Sequence, residues 1–557
     1  MRRSYFTKHA KHAEISPDEI FLDSSNVSSF DEQQLEGFIE RPLPKRIFIL
    51  VGLIVITVLF LFFVQLIRLQ VFQGHEYARL AENNRVNRIT LFSERGIIYD
   101  RFNVKLAWNE ESENSEPFSR REYINKEGFG HLLGYISYPK KDSNNIYWQD
   151  SIIGREGVEH IFNKQLQGIH GAILQETDAR SNSTSVVGMI NPEPGDNITL
   201  SIDSRIQSAL AESIEYMVEQ FDYKAGSGII MDIHTGEIIA ITNVPEYNPM
   251  ILSEGIDTTR IKEYLTSKSG YFINRAISGL YTPGSIIKPF IALAALQEEA
   301  INEWTTILST GQIEVPNPYD KNKPSIYRDW KSDGHGVVGV KDALANSVNT
   351  FFYAIVGGYR GQKGIGIDVL NKYVELFEIG SSTKSIFPHE ADGTIPSPKW
   401  KKKVFNEPWR LGDTYITAIG QFGFQVTPIQ MVRATSAIAN GGILLIPHII
   451  AGETTVSQII SGINPNNYNI VREGMRKTVT GGTATVLNIS NPHIAAKTGT
   501  AQVGALRNQV NSWVIGFYPY EDPQYAFTVV MEKGPSVGIV GASWAIRHMF
   551  DILAVLP

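Results

Sequence analysis

Residues 47–67 read IFILVGLIVITVLFLFFVQLI, an uninterrupted run of 21 residues without a charge. At 1.5 Å per residue a helix of this length spans about 31 Å, the thickness of a bilayer's hydrocarbon core. The run is longer than the apolar region of a signal peptide, and no small-x-small cleavage pattern follows it. A buried core helix is the alternative, but an apolar run this long and uninterrupted favours a membrane span. Arg41, Lys45 and Arg46 precede the run, whereas Arg68 and Arg79 follow it. This excess of positive charge places the N-terminus inside. A single-pass anchor is therefore expected, with residues 1–46 as a cytoplasmic tail and everything after residue 67 on the far side.

The remaining chain has ordinary globular composition, with 43 % hydrophobic and 20 % charged residues among 557. A net charge of −7 argues against a nucleic-acid partner, which calls for a basic face. Cysteine is absent, which excludes disulfide scaffolds, thiol nucleophiles and thiolate metal sites.

Residues 68–195 form a mixed segment of short apolar runs and turns, and Asn109–Glu116 (NEESENSE) reads as a loop. From 196 to 557 the pattern becomes regular. Ile206–Phe221 has helical spacing, and Gly228–Asn243 reads as a β-hairpin around His234-Thr235-Gly236. Residues 260–450 are mostly helical. Strand patterns return at Ile494–Gln502, Trp513–Tyr518 and Tyr525–Glu532, before a closing helix over Ser543–Leu556. Strands at both ends with helices between imply an α+β domain, its antiparallel sheet completed by the C-terminal strands.

Ser285 and Lys288 fall three residues apart, with Pro289 next, ahead of the apolar run Phe290–Leu296. Proline belongs in a helix's first turn, so both residues are expected at a helix N-terminus and on one face. A desolvated lysine there can act as base for the serine. A Ser-x-x-Lys alone is weak evidence, since a helix cap followed by a surface lysine reads the same way. Ser347-Val348-Asn349 and then Lys497-Thr498-Gly499-Thr500 follow in order, the last on a predicted strand. Gly499 would let a ligand backbone approach the strand edge.

These three groups form the Ser-x-x-Lys, Ser-x-Asn, Lys-Thr-Gly set of penicillin-binding proteins and class A β-lactamases. Over nearly all of residues 45–550 the chain resembles class B penicillin-binding proteins. Arg95-Gly96-Ile97-Ile98-Tyr99-Asp100-Arg101 with Leu106-Ala107, and Gly157-Val158-Glu159 with Leu166-Gln167-Gly168, resemble that family's pedestal motifs. Asn274-Arg275-Ala276 sits where the family has it. Arg328-Asp329-Trp330, Gly334-His335-Gly336, Trp409, Gly412-Asp413-Thr414 and Thr427-Pro428-Ile429-Gln430-Met431 resemble the elongation-type (penicillin-binding protein 2) branch.

The resemblance implies a membrane-anchored peptidoglycan D,D-transpeptidase with a pedestal over 68–195 and a transpeptidase domain over 196–557. Ser285 would be the acylated nucleophile and Lys288 its base. Ser347 would relay the proton, with Lys497 tuning it, and Asn349 would hold Lys288 and the substrate amide. Thr498 and Thr500 beside Gly499 would bind the terminal carboxylate, and the backbone N–H groups of Ser285 and Thr500 would form the oxyanion hole. The implied partners are peptidoglycan stem peptides and their lipid-linked precursor, β-lactams, a SEDS-family glycan polymerase and the bacterial inner membrane.

The chain departs from the family in three places. Gly420-Gln421-Phe422-Gly423 stands where Gly-Gln-Gly is common. The stretch from Ala107 to Ser119 is short for a pedestal, implying a reduced head. Asp329 and His335 resemble part of a metal cluster whose cysteine would fall where this chain has Val348, so hydrogen-bonding roles are expected and neither metal nor cofactor. The run Lys399-Trp400-Lys401-Lys402-Lys403 reads as a solvated loop or a contact for an anionic lipid. His234 and His448 are expected to be structural. A β-lactamase is disfavoured because no Glu-x-x-Leu-Asn segment lies between Ser347 and Lys497. A β-lactam-sensing receptor would usually carry more spans or a cytoplasmic effector, and a catalytically silent scaffold remains a third alternative. If the pedestal serves a partner and not the active site, a fragment starting near Gly195 should still react with penicillin, provided that the Gly228–Asn243 hairpin folds without pedestal packing.

Overall fold

A computed structural model describes residues 45–77, 86–112, 116–143, 147–177, 183–317, 322–503, 508–536 and 540–555. The expected tail falls almost wholly outside them. Two compact units emerge, one around the N-terminal helix and one comprising 87–176 with 183–557. In the first, the apolar run is helical from Lys45 to Ile67 and continues as a wider turn over Arg68–Phe72. None of the side chains of Lys45–Ile67 is buried, as befits a helix matched to lipid.

The second unit is an α+β fold centred on a five-stranded antiparallel sheet. Its spatial order is Ile238–Val244, Ala225–Asp232, Tyr525–Pro535, Gln509–Tyr518 and Ala495–Val503. The N-terminal hairpin thus joins the three C-terminal strands, as the spacing predicts. The amphipathic helix Ser204–Gln220 and the closing helix Ala542–Val555 cover one face. Pro428–Ala439 packs against the sheet as well, and all of its residues are buried. The Thr-Pro-Ile-Gln motif has a local cause here. Thr427 and Gln430 form a reciprocal capping box, and Pro428 occupies the first turn. The helical middle section also carries small hairpins that periodicity did not signal, such as Gln312–Val315 with Ser325–Arg328.

The pedestal motifs are buried polar anchors. Arg95 and Arg121 both grip the Glu159 carboxylate, at 2.6 and 2.7 Å, and all three side chains are almost fully buried. Asp100 accepts from Phe102 N and Val104 N, and also from Ser204 N and Oγ at the start of the Ser204–Gln220 helix. A pedestal carboxylate therefore caps a helix of the catalytic domain. Asn109 and Glu110, expected in a loop, end the strand Lys105–Glu110, because the Asn109 amide donates to Arg95 O and accepts from Arg121. That strand turns back through a short connection to Arg120–Tyr123.

Pedestal and catalytic domain share one hydrophobic core. Ile98, Leu106, Phe129 and Leu132 belong to the same buried cluster as Ile229, Met231 and Phe290. Ile198–Thr199 pairs in parallel with Ile98–Tyr99, and Gln207 donates to Gly128 O. The expectation of an independent 195–557 fragment does not suit this packing, since cutting at Gly195 uncovers the shared core. Such a fragment should melt well below a fragment from Asn87 and bind a hydrophobic dye; equal melting temperatures would contradict the shared core. Glu159→Ala leaves two buried guanidinium groups unpaired and should cost about 3–5 kcal/mol, read from denaturant unfolding of the 87–557 unit.

Candidate active site

The Ser285 segment is a 3₁₀ turn, Gly284–Ile287, running into the helix Lys288–Gln297 with Pro289 in its first turn. Four tethers hold this turn. Tyr281 exchanges two backbone hydrogen bonds of 2.9 Å with Val426, and Gly284 N donates to Gly420 O at 2.9 Å. Trp513 Nε1 donates to Thr282 O at 3.1 Å, and the Tyr281 hydroxyl donates to Glu532, which also pairs with Arg275 at 3.0 Å. Arg275 of the Asn-Arg-Ala motif therefore acts through Glu532 behind the turn. Ser285 itself is half-buried.

Lys288 is wholly buried. Its Nζ donates to Ser347 O at 2.8 Å and Asn349 Oδ1 at 2.7 Å, and lies 3.2 Å from Ser347 Oγ and 5.2 Å from the centre of the Phe352 ring. A neutral amine has two N–H donors, which the carbonyl and the amide oxygen satisfy, leaving a lone pair to accept a proton. Burial penalises the ammonium form and brings the lysine down to about 7, against an opposing pull from the Asp329 carboxylate. Ser347 adopts φ of +55°, rare for a residue with a side chain, and this bend lets both its carbonyl and its hydroxyl face Lys288.

Asp329 supports this bend from behind. Its Oδ2 accepts from Thr350 N at 2.9 Å and Thr350 Oγ1 at 3.0 Å, capping the helix Asn349–Gly357. Its Oδ1 accepts from Trp330 N and stands 3.5 Å from His335 Nε2. The expected hydrogen-bonding role thus holds for Asp329, whereas the buried His335 Nε2 makes no hydrogen bond among the described residues.

Lys497-Thr498-Gly499-Thr500 lies on Ala495–Val503, the edge of the central sheet. Strand alternation turns Lys497 and Gly499 inward and leaves Thr498 half-buried and Thr500 exposed. A Cβ on Gly499 would meet Ile286 Cγ2 and Pro283 O at 2.9 Å. The expected close approach is therefore made by the serine turn, and the glycine is required for the strand to pack against it. The backbone of Thr500 lies against Gly284, so it sits beside Ser285. Burial, with the nearby Lys288 charge, pushes Lys497 well below its ordinary range. Its Nζ donates to Thr498 O at 2.8 Å, and Thr498 Oγ1 is hydrogen-bonded to Thr483 at 2.5 Å. The three motif segments thus lie beside one another, Lys288 against Ser347 and Asn349 and the serine turn against Gly499. Among the described residues no hydrogen bond joins Ser285 to Lys288; such bonds are often long before substrate binds.

One expectation changes, for the basic run, while the two histidines sit in structural contacts as expected. Lys399–Lys403 lies within a helix, Pro398–Phe405, with Ser397 as its cap, and Lys401 is buried and paired to Asp413 at 2.6 Å. His234 and His448 face the Pro523 and Thr235 carbonyls around the hairpin turn. Thr483, Trp513 and Glu532 also contact the site, and none of them belongs to a spaced motif.

Comparison with known proteins agrees with this geometry. The profile of the penicillin-binding protein transpeptidase domain matches residues 226–545, and that of the penicillin-binding protein dimerisation domain matches 113–200. Peptidoglycan D,D-transpeptidase MrdA of Acinetobacter baumannii is 30 % identical over 77 % of this chain and 65 % of its own length. The MrdA of Salmonella typhimurium is 30 % identical over 78 % of this chain and 73 % of its own. The crystal structure of Pseudomonas aeruginosa PBP2 in complex with WCK 5153 is 30 % identical, with a TM-score of 0.68 over 84 % of this chain and 97 % of that one.

Gly499→Ala should force the serine turn off the strand and lower stability by about 1–3 kcal/mol in denaturant unfolding; an unchanged midpoint would show that the contact is not tight. With motifs, core and pedestal all in place, the chain belongs to the family of penicillin-binding protein transpeptidases.

Proposed function

We propose that the chain is an elongation-type peptidoglycan D,D-transpeptidase that also binds penicillin covalently. The observation that carries this reading is the buried Lys288 amine, held by Ser347 and Asn349 beside the Ser285 turn and the Lys497–Thr500 edge. Ser285 Oγ attacks the carbonyl of the penultimate D-alanine, and its proton passes to neutral Lys288. The new C–O bond gives a tetrahedral oxyanion, which the N–H groups of Ser285 and Thr500 stabilise. Lys288 returns the proton through Ser347 to the departing D-alanine nitrogen as the peptide bond breaks. An amine from a second stem peptide then attacks the ester, restoring Ser285 and forming the cross-link. Asn349 holds Lys288 and the substrate amide, Lys497 tunes Ser347, and Thr498 with Thr500 binds the terminal carboxylate at the strand edge.

The apolar helix is compatible with a single-pass anchor in the bacterial cytoplasmic membrane, with residues 1–46 cytoplasmic and 47–67 spanning it. The pedestal, 68–195, and the transpeptidase domain, 196–557, then lie outside. A SEDS-family polymerase supplies nascent glycan from lipid-linked precursor in the same membrane, which raises the effective concentration of donor and acceptor. The enzyme needs no metal or cofactor for this chemistry. Nothing in the geometry favours a β-lactamase or a receptor.

Ser285→Ala should abolish labelling by a fluorescent penicillin while the melting temperature holds; an adduct mapped by mass spectrometry to another residue would sink the assignment. Because the lysine must be neutral to act, the acylation rate should rise tenfold per pH unit below about pH 7 and level off above it. An acid limb centred near the ordinary lysine value would remove Lys288 as base. Thr498→Ala should slow acylation by carboxylate-bearing β-lactams in keeping with one charge-assisted hydrogen bond, about 1.5–3 kcal/mol, and an unchanged second-order rate constant would refute its role.

A further inference from the structure

Phe422 occupies the left-handed region, φ +64°, between Gly420 and Gly423. Strain of this kind in an aromatic residue is concentrated at functional sites. Gly423 beside it has no room for a side chain, because a Cβ would fall 2.4 Å from the Trp400 indole. The Phe422 ring contacts Trp400 and Trp409, each with centroids 5.7 Å away, and stacks with Phe405 at 6.3 Å and 22°. Lys401 lies over the Phe422 ring at 5.5 Å and is fixed by Asp413. The outer side of this cluster is open to solvent. Phe405 is 54 % exposed, and Trp400, Trp409 and Phe422 are only partly covered. Around it Lys399, Lys402 and Lys403 are exposed, and none has an ion pair among the described residues.

The cluster is continuous with the active site. Gly420 O accepts from Gly284 N at 2.9 Å, so Phe422 is two peptide links from one partner of that bond and Ser285 one link from the other. Three links of about 3.8 Å together with that hydrogen-bonded step put the two Cα atoms at most roughly 18 Å apart. Four stem-peptide residues between scissile bond and sugar extend at most about 14 Å, a comparable distance. The geometry points to a binding platform on which Trp400, Phe405, Trp409 and Phe422 stack against the amino-sugar rings of the glycan bearing the stem peptide, with Lys399, Lys402 and Lys403 facing its carboxylates. A pyranose has an apolar C–H face, and an N-acetyl group adds a methyl; both pack on aromatic rings, and the lysines complement an anionic peptide. This inference rests on the transpeptidase reading for the choice of ligand.

The test uses the full chain in detergent, with Phe405→Ala at the open edge and Phe422→Asn, which suits the left-handed backbone. Two quantities are measured: the ratio of turnover on a disaccharide-pentapeptide to that on the sugar-free pentapeptide, and calorimetric binding of a peptide-free amino-sugar oligomer. Each variant should lower the ratio at least fivefold and weaken oligomer binding at least fivefold. Either quantity remaining within twofold of wild type in both variants overturns the platform. Oligomer binding requires no acylation, so an unlabelled Ser285 would refute the transpeptidase reading while the calorimetry still decided the platform.

Discussion

The burial of one amine organises this structure. Lys288 loses its hydration on folding, and a charged group in that position would be expensive unless it were paired or neutralised. Burial brings the lysine down to about 7, so a large share of it is neutral near neutral pH, and Ser347 O and Asn349 Oδ1 accept from the two N–H groups of that neutral amine. That arrangement requires Ser347 to hold a left-handed bend, which in turn depends on Asp329 capping the helix that begins at Asn349. The second motif is therefore a receptor for the lysine of the first. Lys497 has a similar problem beside a like charge, and the low charge state of both lysines is a single electrostatic solution.

The same turn must also lie close to a strand edge. Gly499 removes the side chain that would keep Ile286 and Pro283 away, and Thr500 reaches Gly284 as a result. An edge strand is normally a liability because its backbone groups are unpaired. Here the edge strand lies against the Ser285 turn, which covers part of it. Tyr281, Trp513, Glu532 and Gly420 hold the turn from the other sides, so its geometry is over-determined.

Beyond the site, the pedestal contributes to the catalytic domain's own stability. Asp100 caps Ser204, Gln207 clasps Gly128, and Ile98 lies in the same core as Phe290. A boundary drawn at residue 195 follows a change in sequence pattern, yet it cuts through this core. Composition reports where regular periodicity begins; it does not report which apolar faces meet.

The sequence alone determined the elements whose signals are local. The apolar length of 47–67, the alternation in the C-terminal strands, and Pro289 and Pro428 at helix starts all follow from chain chemistry within a few residues. It also carried the three motifs, because their residue types and order suffice to recognise them. Tertiary structure decided what depends on distant neighbours. The composition of the lysine run at 399–403 suits a solvated loop or a lipid contact, but the helix it forms turns Lys401 onto Asp413, and only packing selects which of those lysines is buried. A glycine on a strand edge offers space to a ligand, and here the fold gives that space to the serine turn. Thr483, Trp513 and Glu532 carry no spacing signal, since each meets the site through long-range strand register or packing. Local propensity can be summed along the chain, whereas a buried charge and its partners exist only once remote segments exclude water together.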